Sequence, residues 1–514
     1  MAEVKEDAAA PSAETVEGKG SILDNVLDLV DATAPEEAVG ISDFEDPAAL
    51  GEKSRGDLVS AALRVFIDGL SDLEAPVEKV DKNLINSMIS QIDAKISAQL
   101  DEILHHEKFQ KLESAWRGLK YVVDRTDFRK NVRIQLLNVS KGTLLESFED
   151  SEELIQSAFY RKVYTGAYDS PGASPFSAII SNYEFLNHPQ DIALLQTVSK
   201  VSAAAHCPFL GAVGPAFFDK ESMEDWKKLP DLGAHLETVD YTKWNSFRDT
   251  EDSRYVGLLF PRFMLRLPYG PETVPVKSFN YSEGVTGKDH EKYLWGNASY
   301  AFAANMVRAF MEDGWCVQIR GPQSGGRVED LPVHLYDVGR GKQMKIPTEV
   351  PIDETLEFTA AKLGFIPLSI YQGTDYACFF SANSTQRPVF YGDASEKEQN
   401  ATANARINSR LPYIFLASRI AHYLKVLQRE NIGATKDKGR IQEELNEWLD
   451  GYITQVPKPS EKLIAKRPLR EGKVTVHDIP ANPGFYRVEM KLKPHFQIEG
   501  MDIALSLVGK IPNE

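Results

Sequence analysis

The chain has 514 residues, 42% of them hydrophobic and 10% aromatic, enough for two or three domains with real cores. Its formal net charge of -17 argues against a primary role on nucleic acid or on an anionic membrane surface. Three cysteines, Cys207, Cys316 and Cys378, lie far apart among apolar neighbours with no C-x-x-C spacing. That pattern predicts buried reduced thiols rather than disulfides or a zinc site.

The opening MAEVKEDAAAPSAETVEGKG lacks the basic and apolar regions of a signal peptide, and no run of about 18 apolar residues follows, so a soluble cytoplasmic protein is expected. Residues 1–20 and 31–55 are rich in Ala, Glu, Asp, Pro and Gly and read as disordered, because they cannot bury enough apolar area to offset their ordering entropy. Between them SILDNVLDLV has helical spacing. Ile22, Val26, Leu29 and Val30 fall on one side, Leu23 and Leu27 adjoin them, and Ser21 with Asp24 makes an S-x-x-D capping box. The stretch is an apolar helix with no core of its own.

From Asp57, DLVSAALRVFIDGL reads as a helix ending at Gly69. A longer one follows, with Ile85, Ile89, Ile92, Ile96, Leu100 and Ile103 spaced three and four apart. HEKFQKLESAWRGLKYVVDRTD continues helically, with Phe109, Leu112, Trp116, Leu119 and Val123 expected on one face. The first strand is expected at VRIQLLNV, where Val132, Ile134, Leu136 and Asn138 alternate with their neighbours. Helices and strands then alternate: IQSAFYRKVY helix, FSAIISNYEF strand, DIALLQTVSKVSAAAH helix, PFLGAVG strand, and the apolar run YVGLLFPRFML broken by Pro261. WGNASYAFAANMVRAFMEDG predicts a helix stopped by Gly314, then a strand from Trp315 to Ile319. After a composition shift near 392–400 come one long helix, ATANARINSRLPYIFLASRIAHYLKVLQREN, and the charged amphipathic GRIQEELNEWLDGYI. VTVHDI, FYRVEMKL and DIALSLV close the chain as strands. The pattern is α+β with a mixed α/β body. Its expected parts are a leader over 1–55, a helical region over 56–130, a central helix-covered sheet over 131–392, and C-terminal helices plus a β-hairpin over 393–514.

Three clusters invite chemistry. RGPQSGGR, Arg320–Arg327, has the glycines of a phosphate loop, and an α/β enzyme using it as an anion site is the alternative function. It lacks the GK[ST] ending and no helix follows it, so the anion would miss the converging amides of a helix N-terminus; a structural turn is the expectation. His105 and His106 are adjacent on a helix and point about 100° apart, too far to chelate together. His206 and Cys207 are neighbours in an apolar setting, a poor geometry for a nucleophile and its base. No catalytic, cofactor or metal residue is predicted. What stands out instead is uncovered surface: the apolar leader helix and a C-terminal hairpin with an apolar last strand.

FQKLESAWRGLKYVV, AAAHCPF, RYVGLLFPRFMLRLPYG, LWGNASYAF, RGPQSGGRVEDLPVH, LGFIPLSIY, SRLPYIFLASRIAHYLK and PGFYRVEMKLKPHFQIEGMDIALSLV occur in that order along nearly the whole ordered chain. Together they resemble the large-subunit family of the type VI secretion contractile sheath (TssC or VipB). One departure is SPGASPFSAIISNYEF, where the family often has a glycine-rich turn before the strand.

The resemblance implies a structural protein of a Gram-negative cytoplasm. Its expected partners are a small sheath subunit (TssB or VipA), other sheath protomers, an inner-tube protein (Hcp), a baseplate and a recycling AAA+ unfoldase (ClpV). Neither nucleic acid nor membrane insertion is expected. Tyr486, Val488, Met490 and Leu492, with Ile503, Leu505 and Leu507, are then expected in an intersubunit sheet. Glu443, Glu444, Glu447 and Asp450, polar positions of a helix built on Ile441, Leu445, Trp448 and Leu449, could touch the inner tube. SILDNVLDLV looks like the unfoldase handle, through Ile22, Leu23, Val26, Leu27 and Val30. Burying those side chains contributes roughly 7–15 kcal/mol. Ordering the segment costs about 10 kcal/mol, so one handle binds weakly and many bind well.

Overall fold

A computed structural model describes residues 82–339, 341–479 and 486–495. Of these, 82–99 with 277–281 make one compact unit and the remainder a second. Among the described residues, α-helices of eight or more residues are numbered α1–α9; the π-helix Arg161–Asp169 is left unnumbered. The strands numbered β1–β6 are those of the central sheet and the C-terminal hairpin.

Helix α1, Lys82–Leu104, carries the expected isoleucine stripe, and Ile85, Ile89, Ile92, Ile96 and Ile103 all remain 40–50% exposed. It stops before His106, whose ring accepts the Lys108 amide and opens α2, Glu107–Asp124. The buried residues of α2 are Gly118 and Val122, whereas Phe109, Leu112 and Trp116 of the expected face lie exposed. Residues 132–139, the expected first strand, take no regular secondary structure and join no ladder among the described residues. They lead into α3, Lys141–Glu149, capped by Ser140.

The central sheet has four parallel strands in the order β1 (Ile179–Phe185), β2 (Phe209–Val213), β3 (Val256–Phe260) and β4 (Phe365–Pro367). Parallel strands need crossovers that cover both faces, so β2 and β3 read as unbroken apolar runs and are buried throughout. Alternate side chains feed two cores. Phe209, Leu258 and Phe365 pack with Ile192 and Val198 of α4 (Pro189–Ala205) and with an aromatic cluster that includes Trp244. Leu210, Leu259 and Ile366 pack with Phe302 and Met306 of α5 (Ala298–Asp313) on the other face.

Helix α5 also explains which face of α2 is buried. A Cβ at position 118 would lie 2.3 Å from the Tyr300 ring, so only glycine lets the two helices approach there. Beyond Gly314, the αL C-cap of α5, Trp315–Ile319 is an irregular segment, not the expected strand. Its alternation has another cause: Trp315 and Val317 enter the C-terminal core while Ile319 enters that of the sheet.

Past α6 (Glu354–Lys362) the expected long C-terminal helix is two, α7 (Glu396–Asn408) and α8 (Leu411–Glu430). Pro412 has no N–H to return to Asn408, so the helix ends and restarts. A capping box between Ser395 and Glu398 begins α7. Helix α9, Lys438–Asp450, then packs on the antiparallel hairpin of β5 (Leu469–Asp478) and β6 (Tyr486–Pro494). The fold is a mixed α+β one, as expected.

Candidate assembly interface

The hairpin register pairs Gly472 with Leu492, Val474 with Met490, Val476 with Val488 and Asp478 with Tyr486. Val474 and Val476 are fully buried against α9, and Tyr486, Val488, Met490 and Leu492 pack, half-buried, on the same core. All four sequence-predicted residues on β6 therefore point their side chains inward.

Their backbone does the opposite. Asn446 of α9 donates from Nδ2 to the Val474 carbonyl (2.8 Å) and accepts the Val474 amide at Oδ1 (2.8 Å). Gln442 Oε1, one turn earlier, accepts the Val476 amide (3.0 Å). Two side-chain amides thus stand in for a missing strand along the outer edge of β5. Since Val474 and Val476 spend their backbone groups outward, their pairs with Met490 and Val488 are the non-hydrogen-bonded ones of the ladder. The N–H and C=O of Val488 and Met490, and by the period of two those of Tyr486 and Leu492, then face the outer edge of β6, where no strand pairs among the described residues. Among the described residues, one edge of the hairpin is closed and the other is open.

The glycine-rich loop is closed. The Gly321 amide donates to the Phe379 carbonyl (2.7 Å), the Gly326 amide donates to the Gly321 carbonyl (2.9 Å), and Gly326 in turn accepts from Phe379 (2.9 Å). Arg308 Nη2 ties down the carbonyls of Gly325 and Arg327 at 2.8 and 2.7 Å. Gly325 sits at φ +80 with a hypothetical Cβ 2.1 Å from the Gln318 oxygen, so its glycine serves a tight turn. Amides consumed by carbonyls do not cradle an anion, and the loop is the structural turn the sequence suggested.

Residues 86–386 match the VipB family, described as the EvpB/VC_A0108 tail sheath N-terminal domain. Residues 400–511 match its tail sheath gpW/gp25-like domain. The type VI secretion system sheath protein TssC1 of Pseudomonas aeruginosa is 39% identical over 466 residues, covering 90% of this chain and 92% of that one. The chain belongs to the VipB tail-sheath family. It is a large-subunit sheath protein of a type VI secretion system, and nothing supports the anion-site enzyme reading.

Two solved structures are also similar at 11% identity. The anti-feeding prophage baseplate gives a TM-score of 0.36 over 74% of this chain and 83% of that one. The contracted helical sheath of the same particle gives 0.25 over 60% and 66%. The assignment to the VipB family rests on the sequence matches.

For this VipB-family chain the remaining sites fall as follows. On α9, Glu443 pairs with Arg440, and Glu444 pairs with both Lys436 and Arg440, whose hydrogen bonds and charges lower its carboxyl pKa. Glu447 and Asp450 are exposed. Ile503, Leu505 and Leu507, the leader residues Ile22, Leu23, Val26, Leu27 and Val30, and the helix expected from Asp57 lie outside the described residues.

His105 bonds Glu283 (3.0 Å) while His106 caps α2, so the pair diverges. His206 adopts the αL C-cap of α4 and meets the Tyr255 hydroxyl (3.1 Å). Burial pushes the Cys207 thiol up, and those of Cys316 and Cys378 up to about 12. None of the three forms a disulfide, and a raised thiol pKa disfavours the reactive thiolate. Among the described residues no cluster of three or more His, Cys, Asp or Glu could hold a metal, and no helix is long and apolar enough to cross a membrane.

Sequence reasoning missed Asn446 and Gln442. Four residues apart on one face of α9, with a strand to follow, they were legible as amide side chains aimed at a backbone, had the neighbouring edge been known.

Proposed function

We propose that this chain polymerises with a small sheath subunit (TssB or VipA) into a helical tube around an inner tube (Hcp). The tube grows from a baseplate in the bacterial cytoplasm, and its contraction drives the inner tube and effectors outward. On this reading the chain works mechanically and has no catalytic centre. The observation that carries it is the asymmetric hairpin. An open edge takes another chain's strand through its backbone N–H and C=O groups, and where such a contact is heterologous and does not close on itself it builds a filament. Tyr486, Val488, Met490 and Leu492 each offer one N–H and one C=O there. At about 0.5–1.5 kcal/mol net per bond the strand contributes roughly 4–12 kcal/mol before the cost of association.

Two contacts extend the reading. Glu447 and Asp450, exposed on α9 with no ion pair among the described residues, are the acidic groups offered to an inner tube. The leader handle, supported by its helical apolar spacing, would recruit an AAA+ unfoldase (ClpV) to spent sheaths, and Leu23→Asp with Leu27→Asp should abolish that binding and leave assembly intact.

Val488→Pro tests the edge. Proline there removes an outward amide and no hairpin bond, while Glu489→Pro removes an inward one. Co-expressed with the small subunit and viewed by negative-stain microscopy, Val488→Pro should give folded chain without tubes, and Glu489→Pro a destabilised hairpin. Normal tubes from Val488→Pro would overturn the assignment of β6.

A further inference from the structure

Arg161–Asp169 winds as a π-helix of nine residues, directly after the short α-turn Ala158–Tyr160. Such wide turns are rare and mostly confined to a single-turn bulge, so a longer run has to be held from outside. One face of α8 holds it. Arg429 Nη1 donates to the Ser170 carbonyl (3.1 Å), and Nη2 donates to those of Asp169 (2.9 Å) and Tyr168 (3.3 Å). These carbonyls belong to the open C-terminal end, where a helix has no partner of its own to offer. Lys425, one turn back, pairs with the Asp169 carboxylate (2.8 Å) and lies 3.7 Å from the centre of the Tyr168 ring. His422 Nε2 donates to the carbonyl of Ala205 (2.9 Å), the last residue of α4. Positions 422, 425 and 429 stand at i, i+3 and i+7, a single stripe. That stripe brings nitrogen donors to the C-terminal ends of two helices, where outward carbonyls favour them.

Helix α8 is attached to the body in two different ways. Its first turns are apolar and buried, with Leu411, Ile414 and Phe415 in the core of the central sheet. Farther along, Ile420 and Leu424 turn to α9 and the hairpin. No side chain from 158–205 enters that second core, although Trp315 and Val317 reach into it from the segment after α5. The distal half of α8 therefore meets the π-helix and the end of α4 through the stripe and through the His422 and Tyr168 rings (5.5 Å between centroids). Apolar burial comes apart only with the fold, since it would return those side chains to water. The stripe is exchangeable. Lys425 and Asp169 are 25% and 54% exposed, and water takes up a carbonyl or carboxylate released there. The joint also lies between the two matched segments, with α4 and the π-helix in residues 86–386 and α8 in residues 400–511.

We propose that the His422–Lys425–Arg429 stripe is a latch between the body and the module formed by α9 and the hairpin. Closed, it holds 161–169 in the π form and fixes the module in one orientation. Open, 161–169 rewinds as an α-helix and the distal half of α8 bends away, as long helices do, pivoting at Trp315 and Val317 with both cores intact. The open edge of β6 rides on that module, but the latch works within one chain and does not rest on the assembly reading.

Paired spin labels on the full chain read the orientation directly. Labels at Lys200→Cys on α4 and Lys473→Cys on β5, both exposed positions, should give a single distance. Arg429→Ala should add a second distance. It should also quicken amide exchange at 163–171 by about tenfold or more while β2 and β3 keep their protection. Arg429→Lys supplies one point donor in place of a planar fork and should leave part of the second population. An unchanged single distance in Arg429→Ala overturns the latch. So does exchange that quickens equally in β2 and β3, since Arg429 would then merely stabilise the body. Should Arg429→Ala fail to fold, Asp169→Ala decides, because it removes only a half-exposed carboxylate. It should give a smaller second population, and a single distance there refutes the proposal.

Discussion

The edge strand β1 of the central sheet and the edge strand β6 of the hairpin are both outer strands, yet they meet different surroundings. Along β1, the Ser299 hydroxyl donates to the Ser181 carbonyl (2.8 Å), Asn297 Nδ2 to that of Tyr183 (3.3 Å), and Lys141 Nζ to that of Glu184 (3.0 Å). Both faces of that sheet are buried as well. The hairpin closes its β5 edge by the same device, through Asn446 and Gln442, and among the described residues leaves β6 open. An unpaired edge invites another chain, and proteins that do not want one cover it. A chain that seals two edges with dedicated side chains and leaves a third open separates its stability from its assembly.

If that separation holds, damage to the central sheet should unfold the body. Phe365 is fully buried on β4, in edge contact with Phe217 (5.6 Å between centroids) and stacked with Trp244 (5.6 Å). Phe365→Ala should cost about 3–5 kcal/mol by denaturant titration, because the rigid aromatic shell cannot collapse into the space.

A smaller loss belongs to the same body through Glu349. Burial alone would raise its carboxyl pKa; the His290 ring nearby (3.9 Å) and the charge and hydrogen bonds of Arg262 outweigh that and hold it at about 2, against an ordinary 4.5. The folded value is the depressed one. The stabilisation, about 3 kcal/mol, is therefore complete above pH 4.5 and is lost as pH falls towards 2. Glu349→Gln should lower stability at pH 7 and flatten the acid limb between those values. The hairpin pairs His477–Glu489 and Lys493–Glu471 are about half exposed and screened, so acid should reach the body through Glu349 before it disturbs β6.

How much of this was legible follows from what each feature needs. The parallel sheet was, because buried strands such as PFLGAVG and the helix DIALLQTVSKVSAAAH announce themselves by local periodicity. That Tyr486, Val488, Met490 and Leu492 lie on a strand was also legible, since FYRVEMKL alternates. Their orientation was not: whether a backbone group faces in or out depends on pairing register and on Asn446, some 40 residues away in sequence. Alternation misled at VRIQLLNV, which takes no regular secondary structure, and at Trp315–Ile319, where it reflects two cores served by one loop. On α2, Phe109, Leu112 and Trp116 outweighed Gly118 in any hydrophobic count, although the glycine marks the contact with Tyr300.

The sharpest break of the comparison is the mildest substitution. Asn446→Ala removes both bonds to Val474, leaving one N–H and one C=O of a fully buried residue without partners. The expected cost is about 1–3 kcal/mol, with the α9–hairpin packing through Leu445 and Leu449 otherwise intact. The consequence for assembly should exceed the consequence for folding, because β5 then presents an edge of its own. A hairpin open on both sides no longer defines which way a neighbour is added. Under the microscope Asn446→Ala should give irregular aggregates or branched sheets in place of tubes, at a stability where the monomer is still folded. If the variant is destabilised as expected and its tubes stay uniform, edge closure by Asn446 serves stability alone, and direction must be set by surfaces other than the hairpin.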